Sequence, residues 1–220
     1  MSEDRLLRVI PEDMTDSAFK AKFDAAFTEV YERDEVKAAT AQAEQLRAAR
    51  ERLLRARGNL YTRQHEVVKA VRLIRDNAAP VLIHDFGDES PQIDTAKLVE
   101  KSLALQEEER LLVVAIQRLL EEELPSATIQ HHRMEAERLA LTASALEQAA
   151  EERAQRLAQM VAQAADFEGE IAVDTSSGLS GALLRAAAEL REQGQAELRS
   201  AAEEEHRWRT IRQAQTSTKE

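Results

Sequence analysis

From Ile129 onward, alternating steps of three and four residues meet Ile129, His132, Ala136, Leu139, Ala143, Leu146, Ala150, Arg153, Leu157, Met160, Ala164 and Phe167, and ten of these twelve positions are apolar. Such spacing keeps returning to one side of an α-helix, whereas a half-buried strand would alternate every second residue. The segment is therefore predicted to be one long helix with a single buried stripe. Alanine recurs on that stripe, which implies close approach of a neighbouring helix.

The rest of the chain carries weaker versions of the same signal. Leu46, Leu53, Leu60, Val67 and Ile74 recur every seven residues, with Ala49, Ala56, Arg63, Ala70 and Asn77 three further on, and this phase runs through Gly58. Leu98, Leu105, Leu112 and Leu119 repeat likewise, and the run Leu111 to Ile116 is read as widening the buried face of that helix. A last stripe holds Leu183, Ala187, Leu190, Gly194, Leu198, Ala201, Trp208 and Ile211, with Ser180 as its N-cap. Composition agrees: aromatics are 4% of the chain, with six Gly and four Pro, too few aromatics for a sheet-rich domain.

Breakers divide these stripes into a predicted all-α, elongated, antiparallel helical bundle with coiled-coil-like heptad packing. Its four helices are placed at 46–78, 94–124, 127–167 and 181–212, after an N-terminal segment and helical arm (1–45) and before a frayed tail (213–220). Pro125-Ser126 is read as a tight turn that reverses the chain, making its two flanking helices antiparallel neighbours. That reversal brings the loops 79–93 and 168–180 to one end of the bundle, where Val81-Leu82-Ile83 and Ile171-Ala172-Val173 can pair as a two-stranded patch.

Two sets of residues are expected to bind protein. Leu82, Ile83, Phe86, Ile171 and Val173 are apolar residues in polar loops, with Asp85, Asp88 and Asp174 as a rim, and are assigned to partner docking, with capping of the bundle's own core as the alternative. Phe19, Phe23 and Phe27 form an i, i+4, i+8 stripe on an arm without a length-matched partner, and are assigned to homo-oligomerisation, with folding back on the chain as the alternative.

Charge and motifs restrict the function classes. Net charge is −11, yet residues 36–75 carry ten basic against three acidic side chains, while residues 85–124 carry eleven acidic against four basic. Attraction between two consecutive helices explains this split, and a nucleic-acid or polyanion surface on residues 47–75 is the alternative. Chemistry has little to work with. The chain has no cysteine, and no nucleophile motif or phosphate-binding loop is complete, since Asp174 to Gly181 lacks the lysine of a P-loop. Only Glu203 and His206 have the Glu-x-x-His spacing of di-metal bundles, which require two such pairs. No catalytic residue, metal or cofactor is assigned.

The Met1 to Ile10 segment lacks the basic region and apolar stretch of a signal peptide, and the six-residue apolar run 111–116 falls far short of the roughly 20 residues that span a bilayer. The sequence thus predicts a cytoplasmic, non-catalytic structural or adaptor protein that self-associates and docks a larger protein assembly, with a polyanion-binding helical protein and a bundle-type metal or small-molecule binder as the alternatives.

Overall fold

A computed structural model describes the backbone of residues 6–9, 16–84, 95–165, 170–173, 175–176 and 178–217. The chain is an all-α helical bundle, in which long helices pack against one another. In order it forms strand β1 (Leu6–Val9), helices α1 (Asp16–Tyr31), α2 (Asp34–His84) and α3 (Thr95–Arg118), a π-helical turn (Leu119–Glu123), helix α4 (Leu124–Ala165), strand β2 (Glu170–Val173) and helix α5 (Gly178–Ser217). Among the described residues no helix is long and apolar enough to cross a membrane.

Contacts divide the chain into two compact units, Met1–Arg47 with Ile129–Glu204, and Ala48–Thr128 with Glu205–Glu220. The core of the first unit joins Ala26 and Val30 of α1, Val36 of α2, Ala143, Ala145, Leu146 and Ala150 of α4, and Leu179, Leu183 and Ala187 of α5. Leu146, Leu183, Val30 and Val36 are fully enclosed. Small residues set the helix spacing: a Cβ added at Gly194 of α5 would stand 3.4 Å from the Ala136 carbonyl oxygen of α4.

Phe19, Phe23, Phe27 and Tyr31 form a ladder along α1, with ring centroids 5.1 to 6.4 Å apart, and pack half-buried on this core. The arm therefore folds back on its own chain, and residues 34–45, expected to belong to it, are the first turns of α2, with Val36, Ala39 and Ala43 buried. The break falls at Glu32-Arg33. Asp34 and Glu35 then open α2 with negative charge where the helix dipole favours it.

The alanine stripe of α4 is enclosed from Ile129 to Ala150 and then turns outward, leaving Met160 and Ala164 exposed, while Phe167 lies outside the described residues. A 3.5-residue repeat drifts by about 20° per heptad on a straight 3.6-residue helix, so a long stripe cannot face one neighbour throughout. Leu198 and Ile211 of α5, expected on its packed face, are likewise exposed. Ser180 does not cap α5, which starts at Gly178 with φ +59°; its hydroxyl donates to the Ala150 carbonyl at 3.4 Å.

In the second unit the aliphatic heptad positions point inward as expected, while Arg63 among the companion positions is exposed. Leu53, Leu60, Val67 and Ile74 of α2 and Leu98, Leu105 and Leu112 of α3, followed by Leu119 in the π turn, are all half-buried or buried. Helix α2 passes Gly58 unbroken and continues through Pro80, so residues 79–84 are helix rather than loop. A proline this close to the helix end removes one main-chain hydrogen bond with few turns left to disturb.

No turn stands at Pro125. Helix α3 leads into the π turn and on into α4, and Leu124, at φ −69° and ψ −44°, donates its N–H to the Leu119 carbonyl. Proline has no N–H to give the Glu121 carbonyl four residues earlier, where an α-helix would require one. The indole Nε1–H of Trp208 on α5 donates to that carbonyl. With the reversal gone, the premise that brought loops 79–93 and 168–180 together is gone too.

The strand patch differs in the same way. Ile171 and Val173 lie in β2, but they pair in parallel with Leu7 and Val9 of β1, not with Val81 to Ile83. Leu6 to Val9, three apolar residues and Arg8 ahead of Pro11, supplies a strand that was not expected.

Candidate functional site

The residues assigned to docking lie on different elements or outside the described residues. Leu82 and Ile83 lie in the last turn of α2 with side chains outside the described residues, and Phe86, Asp85, Asp88 and Asp174 lie outside them altogether. Ile171 and Val173 are half-buried in the β-pair.

The surface that stands out is on α3. Val99, Leu103, Leu111 and Val114 are 58, 61, 58 and 57% exposed, and Val113 is open as well. Val99, Leu103, Leu111 and Val114 turn away from Leu98, Leu105 and Leu112 while Val113 lies on the flank between, so the apolar run 111–116 splits. Leu112 and Ile116 turn inward, while Leu111, Val113 and Val114 face solvent, contrary to the expectation that the whole run widens the buried face. Six consecutive residues cover more than one turn of helix, so they cannot share one face. The exposed arc also holds Gln106, Glu107, Arg110 and Gln117, with Arg110 paired to Glu107 at 3.2 Å.

Basic α2 and acidic α3 are tied by an ion pair between Arg63 and Glu108 at 2.7 Å. Arg50 instead donates to the Thr128 hydroxyl at 3.2 Å, and Arg52, Arg55, Arg57, Lys69 and Arg72 are exposed.

A second feature lies in the first unit, where Thr40, Ala43, Glu44 and Arg47 of α2, His131, Glu135 and Arg138 of α4, and Glu197 of α5 line a cleft of about 340 Å³. His132 places Nδ1 2.5 Å from Glu197 Oε2, joining α4 to α5. Arg138 grips Glu135 with two hydrogen bonds of 3.0 and 2.6 Å. Among the described residues no group of three or more His, Asp or Glu side chains is placed to hold a metal; Glu203 and His206 are exposed.

The Arg138 guanidinium holds the Glu135 carboxyl below its ordinary value of 4.5, against the opposing effect of burial. A carboxyl lowered by folding stabilises the folded state above its unfolded value, and that contribution is lost as pH falls through the lowered folded value. Glu135→Gln is expected to flatten the loss of stability on acidification below pH 4.5, measured as urea midpoints across a pH series. Parallel curves for the two proteins would show that the pair is not linked to folding.

Comparison of the chain with known protein families, characterised proteins and solved structures returns no match. The class that can be stated is therefore architectural, an all-α helical bundle.

Proposed function

We propose that the protein is a non-catalytic structural or adaptor helical protein that self-associates and docks a larger protein assembly, and that the solvent-facing side of α3 is its docking surface. The observation that carries this reading is the set of four aliphatic side chains, Val99, Leu103, Leu111 and Val114, each more than half exposed on one helix. Single exposed leucines are ordinary, but several along one helix face form an apolar strip of the kind that amphipathic partner helices cover. The inward heptad supplies the fold and the outward strip is free for association.

The test is a double substitution, Leu103→Ser with Val114→Ser. Because both side chains are largely in water, the melting temperature is expected to stay within about 2 °C, since surface changes typically stay within about 0.5 kcal/mol. Partners retained by the immobilised wild-type protein from an extract of its native host are expected to be lost by the variant. Equal retention by both proteins rejects α3 as the docking surface.

A further inference from the structure

We infer that the outward face of α3 pairs with α3 of a second copy of this chain, in antiparallel orientation about a two-fold axis near residue 108. This rests on the reading of α3 as an association surface and names the occupant.

The argument starts from the order of residues along that face. Val99, Leu103, Gln106, Arg110, Val113 and Gln117 follow one another at alternating steps of four and three, and all six are exposed. This is a second heptad seam, out of phase with the inward leucines, and it has the a/d spacing through which two helices interlock. Read backwards, the seam matches itself. An antiparallel copy sets Leu103 opposite Val113 and Gln106 opposite Arg110, twice each by symmetry, so apolar meets apolar and polar meets polar. The end layer, Val99 opposite Gln117, is mixed.

Charge selects the orientation. In a parallel, in-register pair, like positions face each other and the two Arg110 guanidinium groups would meet at the centre of the seam. In the antiparallel pair each Arg110 reaches Gln106 and Glu107 of the other copy. Arg110 already bonds Glu107 of its own helix at 3.2 Å, so the two copies bring together two arginines and two glutamates in a closed, neutral set. An isologous contact of this kind closes at two chains rather than propagating.

The chain contains no cysteine, so introduced thiols report geometry without background. Full-length Leu103→Cys and Val113→Cys proteins are mixed and oxidised. The antiparallel register aligns position 103 of one with 113 of the other, whereas like positions are separated by ten residues, about 15 Å along the helix. A disulfide needs Cα atoms within about 7 Å, so the mixed dimer is expected to exceed either homodimer by about tenfold. Arg110→Glu is expected to raise the dissociation constant about tenfold, and Glu107→Arg in the same chain to restore it. Homodimers at position 103 equal to or above the mixed product overturn the orientation. A chain that stays monomeric across the concentration range overturns the inference entirely, and if the Leu103→Ser, Val114→Ser protein still loses its partners, the adaptor reading stands without it.

Discussion

Replacing Ala143 and Ala150 with leucine is expected to destabilise the protein by about 1 to 3 kcal/mol per site, the usual cost of forcing extra methylenes into a packed core. Both alanines are enclosed in the first unit, with Leu146 between them and Leu183 and Ala187 among the residues of the same core. The enlarged side chains have no solvent to turn into. At Gly194 an added Cβ would meet the Leu139 Cβ at 3.6 Å, an ordinary contact distance, so α5 runs directly against α4 there. Thermal denaturation should register about 2 to 4 °C for each kcal/mol in a chain of this size. Met160→Leu is the control. It lies further along the same helix where the stripe has turned into solvent, and should change the melting temperature hardly at all. If the two alanine substitutions behave like the control, the register of α4 described above is wrong.

That contrast also shows which parts of the fold were legible in the sequence. Heptad spacing correctly identified the buried sides of α2, α3 and the first two-thirds of α4, because burying a stripe is a local demand that every residue on the stripe satisfies. Spacing says nothing about how far a straight helix can keep that stripe against its neighbour, so Met160 and Ala164 were assigned inward on periodicity alone. The arm at residues 16–45 had one legible feature, the phenylalanine stripe. Its partner was not legible, because the surface of α4 and α5 that receives it is far away in the chain. The exposed aliphatic face of α3 went unread for a related reason. Leu111 to Ile116 is apolar in composition, and the split of such a run between inside and outside depends on which other helix covers it. The outward seam from Val99 to Gln117 is visible only once the inward one has been assigned.

Proline and strand signals failed differently. Pro125 was read as a stop because it cannot donate a main-chain hydrogen bond, and that premise is sound. Its consequence depends on whether a substitute donor arrives from elsewhere. In this chain the π turn re-registers the main-chain bonds before Pro125, and Trp208, 87 residues away from Glu121, brings an indole N–H to the carbonyl. No window of sequence around Pro125 contains that information. The strand β1 was missed because four residues are a weak signal until the matching segment at Glu170 to Val173 is known.

Trp208 is consequently expected to act as a staple in the second unit, and its substitution should have the largest effect there. Trp208→Phe keeps most of the apolar ring but removes the donor, so the Glu121 carbonyl loses the indole hydrogen bond, which should cost about 0.5 to 1.5 kcal/mol, the usual net worth of one hydrogen bond. Trp208→Ala loses the packing as well, together with the Arg212 guanidinium that lies 4.4 Å from the ring centroid, and should cost about 2 to 4 kcal/mol. The decisive measurement is a double-mutant cycle with Pro125→Ala. Alanine at position 125 restores an N–H one helical turn after Glu121, so the main chain can satisfy the carbonyl itself. If the indole is there to replace the bond that proline cannot make, Trp208→Phe should cost at least about 0.5 kcal/mol less in the Pro125→Ala background than in the wild type, a coupling of the size seen between groups that share a partner. Additive costs would mean that Trp208 contributes by packing alone and that the π turn accommodates Pro125 without it.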